Sequence, residues 1–213
     1  MSRAIIIANG DLRDPAQARA IVTADDLLIA ADGGAAHCRA LGLVPQFVVG
    51  DLDSLAPEQR AGLERAGARF EIHPTQKAET DLELALRVAL REGAREVVIL
   101  AALGARWDQS LANVLLLAHP DFAALNVRLV AGFDTLRLIR GRATLRGMPG
   151  DVISFLPLMG DAQGVTLSGL EYPLTNAVLR FGYSTGVSNV LVGQEAVISV
   201  RHGLLLAIHT RQA

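Results

Sequence analysis

Two aspartates at alternate positions, Asp51 and Asp53 of GDLDSL, follow directly on the apolar run Phe47, Val48 and Val49. The run contains β-branched residues and is bounded by Pro45 and Gly50, which reads as a buried parallel strand. Residues i and i+2 of an extended segment point the same way, so the pair presents two carboxylates to one point at the end of that strand. Like charges held so close call for a cation. A magnesium ion suits them, because it takes one or two carboxylates, keeps several waters and binds phosphates. The competing reading is structural: Asp53 or Ser54 caps the helix that Pro57 helps to begin.

Three further stretches carry the same ambiguity. In KAETDLELAL, Thr80 and Glu83 make a capping box and Asp81 complements the helix dipole, while Lys77, the single lysine among 20 Lys and Arg residues, offers a compact charge for phosphate. In LGARWDQSLANVLLL, Arg106 and Asp108 sit where a loop turns into a helix. There a guanidinium can grip phosphate oxygens in pairs and a carboxylate can meet a metal or a hydroxyl; the plain alternative is a capping Asp108 and a solvated Arg106. In AADGGAAH, Asp32 precedes two glycines that let backbone approach a ligand. Taken singly, each is an ordinary turn or cap. Taken together, they place acids and cations on four loops, three of them directly after strands, and such loops converge on one crevice of an open parallel sheet.

The elements that must position these residues follow from hydrophobic rhythm. Up to residue 133, short apolar runs (AIIIA, LLIAA, FVVG, RFEIH, EVVILAAL, VRLVAG) alternate with helical patterns, the pattern of an α/β domain with a mainly parallel sheet. The helix from Thr80 is the clearest, with Leu82, Leu84, Ala85, Val88 and Ala89 on one broad face and Gly93 closing it. From residue 134 to 213 the helical spacing gives way to short β segments between glycines, DTLRLI, DVISFLPL, GVTLSG, AVISV and LLLAIH, read as an all-β sandwich. The domains are therefore expected at 1–133 and 134–213.

Composition narrows the function classes. At 213 residues, 51% hydrophobic and 20% charged with a net charge of −2, the chain is that of an ordinary globular protein without the basic surface nucleic acid requires. Only 4% of residues are aromatic, too few for a platform of stacked bases. Cys38 is the only cysteine, which excludes an intrachain disulfide and a cysteine zinc site, and the five histidines lack ligand spacing. No signal peptide or membrane span is evident, and a cytoplasmic location is expected.

The blocks ADGGAAH, GDLDSL, KAETDLELAL and GARWDQ, followed by GLEYPL and GYSTGVSN, resemble in order and spacing those of the thiamine pyrophosphokinase family, over nearly the whole chain. The resemblance implies an α/β catalytic domain that handles ATP and magnesium, followed by a β-sandwich that binds thiamine and dimerises. It implies a homodimer with its active site near the subunit interface, transferring the terminal diphosphate of ATP to the hydroxyl of thiamine and releasing AMP. Asp51, Asp53 and Asp81 match the family's metal and phosphate-site acids. Arg106, Asp108 and Gln109 match its Arg-x-Asp-His/Gln block, Ser188 and Asn189 match its thiamine-side Ser-Asn, and Asp32 and Lys77 join the substrate-binding set. Ala105 replaces the second glycine of the usual Gly-Gly-Arg. Leu206 stands where eukaryotic members carry a thiamine-packing tryptophan, and Val190 where a polar or acidic residue is expected in many bacterial members. Without the family, GYSTGVSN is ordinary turn chemistry. Competing readings are a diphosphokinase for another primary alcohol such as a hydroxymethylpterin, a D-x-D nucleotide-sugar glycosyltransferase, and a binding module without turnover.

Overall fold

The structure, a computed structural model, describes residues 3–53 and 55–212. It contains a mixed sheet with helices and many strands, and the chain divides into two compact units, Met1–Gly132 and Phe133–Ala213. Among the described residues no helix is long and apolar enough to cross a membrane.

In the first unit the apolar runs become β1 (Arg3–Ile7), β2 (Leu27–Ala31), β3 (Phe47–Gly50), β4 (Arg69–Ile72), β5 (Glu96–Leu100) and β6 (Asn126–Ala131), with α1 (Pro15–Ile21), α2 (Gly34–Ala40), α3 (Pro57–Arg65), α4 (Asp81–Arg91) and α5 (Trp107–Leu115) between them. All pairings among these strands are parallel, in the order β4-β3-β2-β1-β5-β6. The order reverses between β1 and β5, and at such a switch point the connecting loops diverge and leave a crevice beyond the strand ends. Continuous apolar runs are required because β2 and β3 are buried along their whole length. The α4 helix packs on β1, β2 and β3 through Leu82, Leu84, Ala85, Leu86, Val88 and Ala89.

Three helix starts differ in detail from the sequence reading. The N-cap of α3 is Ala56, with Pro57 in its first turn, so Asp53 is not its cap; Ser54 lies outside the described residues. At α4 the Thr80 hydroxyl accepts from the Glu83 N–H at 3.2 Å, but the Glu83 carboxylate turns away to Arg87 at 2.9 Å, leaving half a capping box. The N-cap of α5 is Arg106, and Asp108 lies inside the first turn.

The second unit is antiparallel: β7 (Asp134–Ile139), β8 (Arg142–Arg146), β9 (Val152–Ser168), β10 (Leu174–Leu179), β11 (Asn189–Val190), β12 (Glu195–Ser199) and β13 (His202–Thr210). DVISFLPL and GVTLSG, expected as separate strands, are two parts of β9, which spans 17 residues. Left-handed backbone at Met159, Gly160 and Gly164 breaks the alternation that sequence reading relies on, yet pairing continues: the first part of β9 lies against β13 and its last residues against β12. Phe155, Ile153, Val165, Ile198 and Leu205 are fully buried in the core of this unit.

At the end of the parallel sheet opposite the crevice, Asp26 is buried and accepts four hydrogen bonds. Arg3 donates from Nε at 2.6 Å and Nη2 at 2.7 Å, and Thr23 donates from its N–H at 2.7 Å and its hydroxyl at 2.9 Å. Burial pushes the carboxyl up, but these donors outweigh it and hold it below the usual range. Asp26→Asn should therefore cost about 2 kcal/mol, measured by denaturant unfolding at neutral pH. Because the folded-state value is depressed, the stabilisation is present above the ordinary aspartate range and is lost as the pH falls through the folded value, below about pH 4. The gap between wild type and variant should narrow there; a constant gap down to pH 2 would contradict this account.

Candidate active site

The loops at the carboxyl ends of the parallel strands enclose a cleft of about 820 Å³, within the range that takes a nucleotide-sized ligand. Its lining includes Asp32, Asp51, Lys77, Asp81, Arg106 and Gln109. Asp53 joins the same rim: single carboxylate oxygens of Asp32, Asp51 and Asp53 all lie within 4.8 Å of one another. Ser188 and Asn189 belong to the second unit and are not part of this lining.

The way Asp51 and Asp53 come together is not the expected strand alternation. The β3 strand ends at Gly50, and Leu52 between the two acids has left-handed backbone, φ +63°. A bulky residue there is strained by about 1–3 kcal/mol. Its side chain is buried in the unit's core, and that burial holds the unfavourable turn in place. The Asp53 N–H donates to Asp51 Oδ1 at 3.3 Å. This bond chiefly holds the Asp51 carboxyl below its ordinary value, while the charge on Asp51, followed by burial and then Asp32, raises that of Asp53. Opposite shifts in adjacent acids mark a concentration of negative charge that a divalent cation would relieve.

The same left-handed device recurs at Asp32 (φ +44°), directly after β2, and at Ala101 (φ +52°), directly after β5. At the first of these the glycines serve close approach. A Cβ on Gly34 would lie 1.9 Å from the Ile7 carbonyl oxygen, so the turn after β2 packs directly on the β1 backbone. A Cβ on Gly33 would first meet the end of the exposed Asn9 side chain, at 2.3 Å.

Lys77 and Asp81 face each other across the mouth of α4. The ammonium donates to the Pro74 carbonyl at 3.2 Å and lies 3.0 Å from Asp81 Oδ1. That approach is an ion pair without hydrogen-bond alignment; Oδ1 is also sealed from solvent and makes no hydrogen bond among the described residues. A sealed carboxylate oxygen beside three clustered acids, all hard oxygen donors, fits a magnesium site. Arg106 and Asp108 are both well exposed and pair with each other through two hydrogen bonds, Nε to Oδ1 at 3.2 Å and Nη2 to Oδ2. The guanidinium holds the Asp108 carboxyl below its ordinary value.

In the second unit Ser188 is exposed with left-handed backbone (φ +60°), and its N–H donates to Ser154 Oγ at 3.0 Å. Asn189 is buried; its amide accepts from the Tyr172 N–H at 2.9 Å and donates to the Tyr172 carbonyl at 2.8 Å. The GLEYPL and GYSTGVSN blocks are thus locked together by this one side chain. Sequence reading passed over Asn9 and Asp11, which line the cleft after β1. Their signal was the same as for the other acids, a polar pair directly after an apolar run, IIIANGD. Cys38 is buried and its thiol pushed up to about 12, so it is no nucleophile.

Parallel strands with a reversal point, a nucleotide-sized cleft and clustered acids beside one lysine and one arginine have the chemistry suited to a polyphosphate with a divalent cation. Comparison with known proteins makes the assignment specific. Residues 18–129 match the family model described as thiamin pyrophosphokinase, catalytic domain, and residues 142–205 that described as thiamin pyrophosphokinase, vitamin B1 binding domain. The chain belongs to the thiamine pyrophosphokinase family. It is 28% identical over 194 residues to thiamine pyrophosphokinase of Bacillus subtilis, covering 86% of this chain and 87% of that one. The crystal structure of the Bacillus subtilis protein superposes with a TM-score of 0.88 at 26% identity over the whole of both chains. The structure from Geobacillus thermodenitrificans gives 0.85 at 27%, covering 99% of this chain and 98% of that one.

Gly34→Ala should destabilise the protein by at least about 2 kcal/mol, since two backbone segments must separate, and Gly33→Ala by clearly less, since a side-chain end can swing away. Thermal unfolding of the two variants side by side checks this order.

Proposed function

We propose that this protein is an ATP-dependent thiamine diphosphokinase: it transfers the diphosphate of ATP to the primary hydroxyl of thiamine, giving thiamine diphosphate and AMP. The observation that carries the reading is the coincidence, in a cleft of one unit, of Asp32, Asp51, Asp53, Asp81, Lys77 and Arg106, in a chain matched by both family models. The comparisons do not favour a pterin-directed diphosphokinase or a nucleotide-sugar glycosyltransferase.

The first unit is read as the catalytic α/β domain and the second as a β-sandwich that contacts thiamine, with Ser188 exposed for that purpose and Asn189 holding its loop. The active species is read as a cytoplasmic homodimer. Asp51, Asp53 and Asp81, with Asp32 beside them, would hold magnesium, which when bound neutralises phosphate charge and orients the polyphosphate. Lys77 and Arg106 supply the remaining positive charge: Lys77 is already paired with Asp81 of the cleft and Arg106 with Asp108 beside it, and each exchanges that partner for phosphate oxygen. Gln109, one residue beyond Asp108, adds an amide donor at the same helix start.

The thiamine hydroxyl oxygen attacks the β-phosphorus in line. The bond from that phosphorus to the oxygen bridging the α- and β-phosphates breaks, AMP leaves with the electron pair, and the hydroxyl proton is released. Transfer of this kind depends on positioning and charge stabilisation, with no covalent nucleophile. Asp108, released when Arg106 turns to phosphate, stands between the cleft-lining residues Arg106 and Gln109 with both carboxylate oxygens as acceptors, and its role is to orient the hydroxyl or accept its proton.

Incubation with ATP, magnesium and thiamine should yield AMP and thiamine diphosphate in equal amounts by chromatography. Release of orthophosphate in place of AMP would rule out diphosphate transfer. Asp53→Asn should lower magnesium-dependent turnover at least about hundredfold while the protein stays folded by circular dichroism. Near-normal turnover would remove Asp53 from the metal site. Light scattering of the purified protein should give twice the chain mass.

A further inference from the structure

Arg106 is exposed and its guanidinium touches only Asp108 among the bonds the structure defines for it, so its placement over the cleft depends on the backbone that carries it. That backbone, from Ala101 to Arg106, leaves β5 through a left-handed alanine and has no regular structure until α5 begins. On one side it is strapped to the loop after β1: the Gly10 N–H donates to the Ala101 carbonyl at 2.7 Å and the Asp11 N–H to the Leu103 carbonyl at 2.8 Å. On the other side two buried side chains of α5 reach back to it. Ser110 accepts from the Gly104 N–H at 3.0 Å and donates to the Gly104 carbonyl at 3.2 Å; Asn113 Nδ2 donates to the Ala102 carbonyl at 2.7 Å.

We infer that Ser110 and Asn113 are positioning residues for the transfer reaction, holding the Ala102–Gly104 turn so that Arg106 stands ready to take phosphate. Ser110 closes a two-bond ring on a single glycine two residues before Arg106, and its only hydroxyl proton is used there, so it has none to give a substrate. Without that ring the Gly104 N–H and carbonyl lose their partner, and the turn is free to rotate at a residue with no side chain to restrain it. Displacement of a charged group by about 1 Å is enough to cost catalysis up to about hundredfold. Asn113 fixes the other end of the same turn from one helical turn further along α5, where residues three apart lie on one face.

This inference rests on the reading of Arg106 as a phosphate ligand, and a double-mutant cycle separates the two. Steady-state kcat and KM for ATP are measured for wild type, Ser110→Ala, Arg106→Ala and the double variant, each with a thermal unfolding curve. Ser110→Ala should lower kcat by about tenfold to hundredfold. In the Arg106→Ala background the same change should cost no more than about twofold, because the group it positions is gone. Equal losses in both backgrounds would show that Ser110 serves only the fold, and a loss below about twofold in the wild-type background would also overturn the inference. Near-normal turnover of Arg106→Ala alone would overturn the reading of Arg106 itself. If Ser110→Ala does not fold, Ser110→Cys, which keeps the size with a weaker donor, enters the same cycle with the same criteria.

Discussion

The crowding of carboxylates at the ends of parallel strands is the constraint on which the rest of this architecture depends. Asp32, Asp51 and Asp53 repel one another, and no local preference of the chain would bring Asp32 within 4.8 Å of the other two. Proximity is imposed by strand exits in conformations that cost energy: left-handed backbone at Asp32 and Leu52, neither of them glycine. The cost is carried by the sheet behind them, where strands β1, β2, β3 and β5 are almost entirely buried. A buried side chain at Leu52 converts core packing directly into the placement of two charges.

The two ends of the parallel sheet are accordingly built differently. At one end Asp26 is fully satisfied by Arg3 and Thr23, an arrangement whose consequence is stability. At the other, Asp81 Oδ1 is sealed beside the Lys77 ammonium with no hydrogen bond among the described residues, and Arg106 pairs with its own neighbour in the open. Polar groups left half-satisfied beside a cleft are poised to exchange partners for a ligand, which a satisfied pair resists. The glycines follow this division: Gly34 lets the acid-bearing turn after β2 rest on β1 backbone, and Gly104 lets the β5 exit pack beside Asp11.

Legibility in the sequence tracks how local each determinant is. The apolar runs of the first unit appear as strands and its periodic segments as helices, because burial on both faces of a parallel sheet and amphipathic packing leave patterns within a few residues. Helix caps were read less well: α3 starts on Ala56 with no side-chain cap, and Glu83 prefers Arg87 to the backbone it was expected to meet. The division of β9 into two strands failed for the reason that left-handed residues in mid-strand shift the alternation without ending the ladder. The acids Asp32, Asp51, Asp53 and Asp81 could be picked out by type and position after strands, whereas Asn9 and Asp11 carried the same signal and were passed over.

By itself the sequence determined which residues could do chemistry and which runs must be buried, since charge, size and periodicity are properties of short segments. It also carried the family blocks in order. Only the tertiary structure decided that Asp51 and Asp53 meet across a left-handed leucine, that Asp81 is sealed beside Lys77, and that Ser110 and Asn113 turn back to hold the loop before Arg106. These depend on contacts between strand exits and helices whose partners are set by the order of strands in the sheet. No local pattern encodes that order, because it results from the competition of all the apolar segments for one shared core.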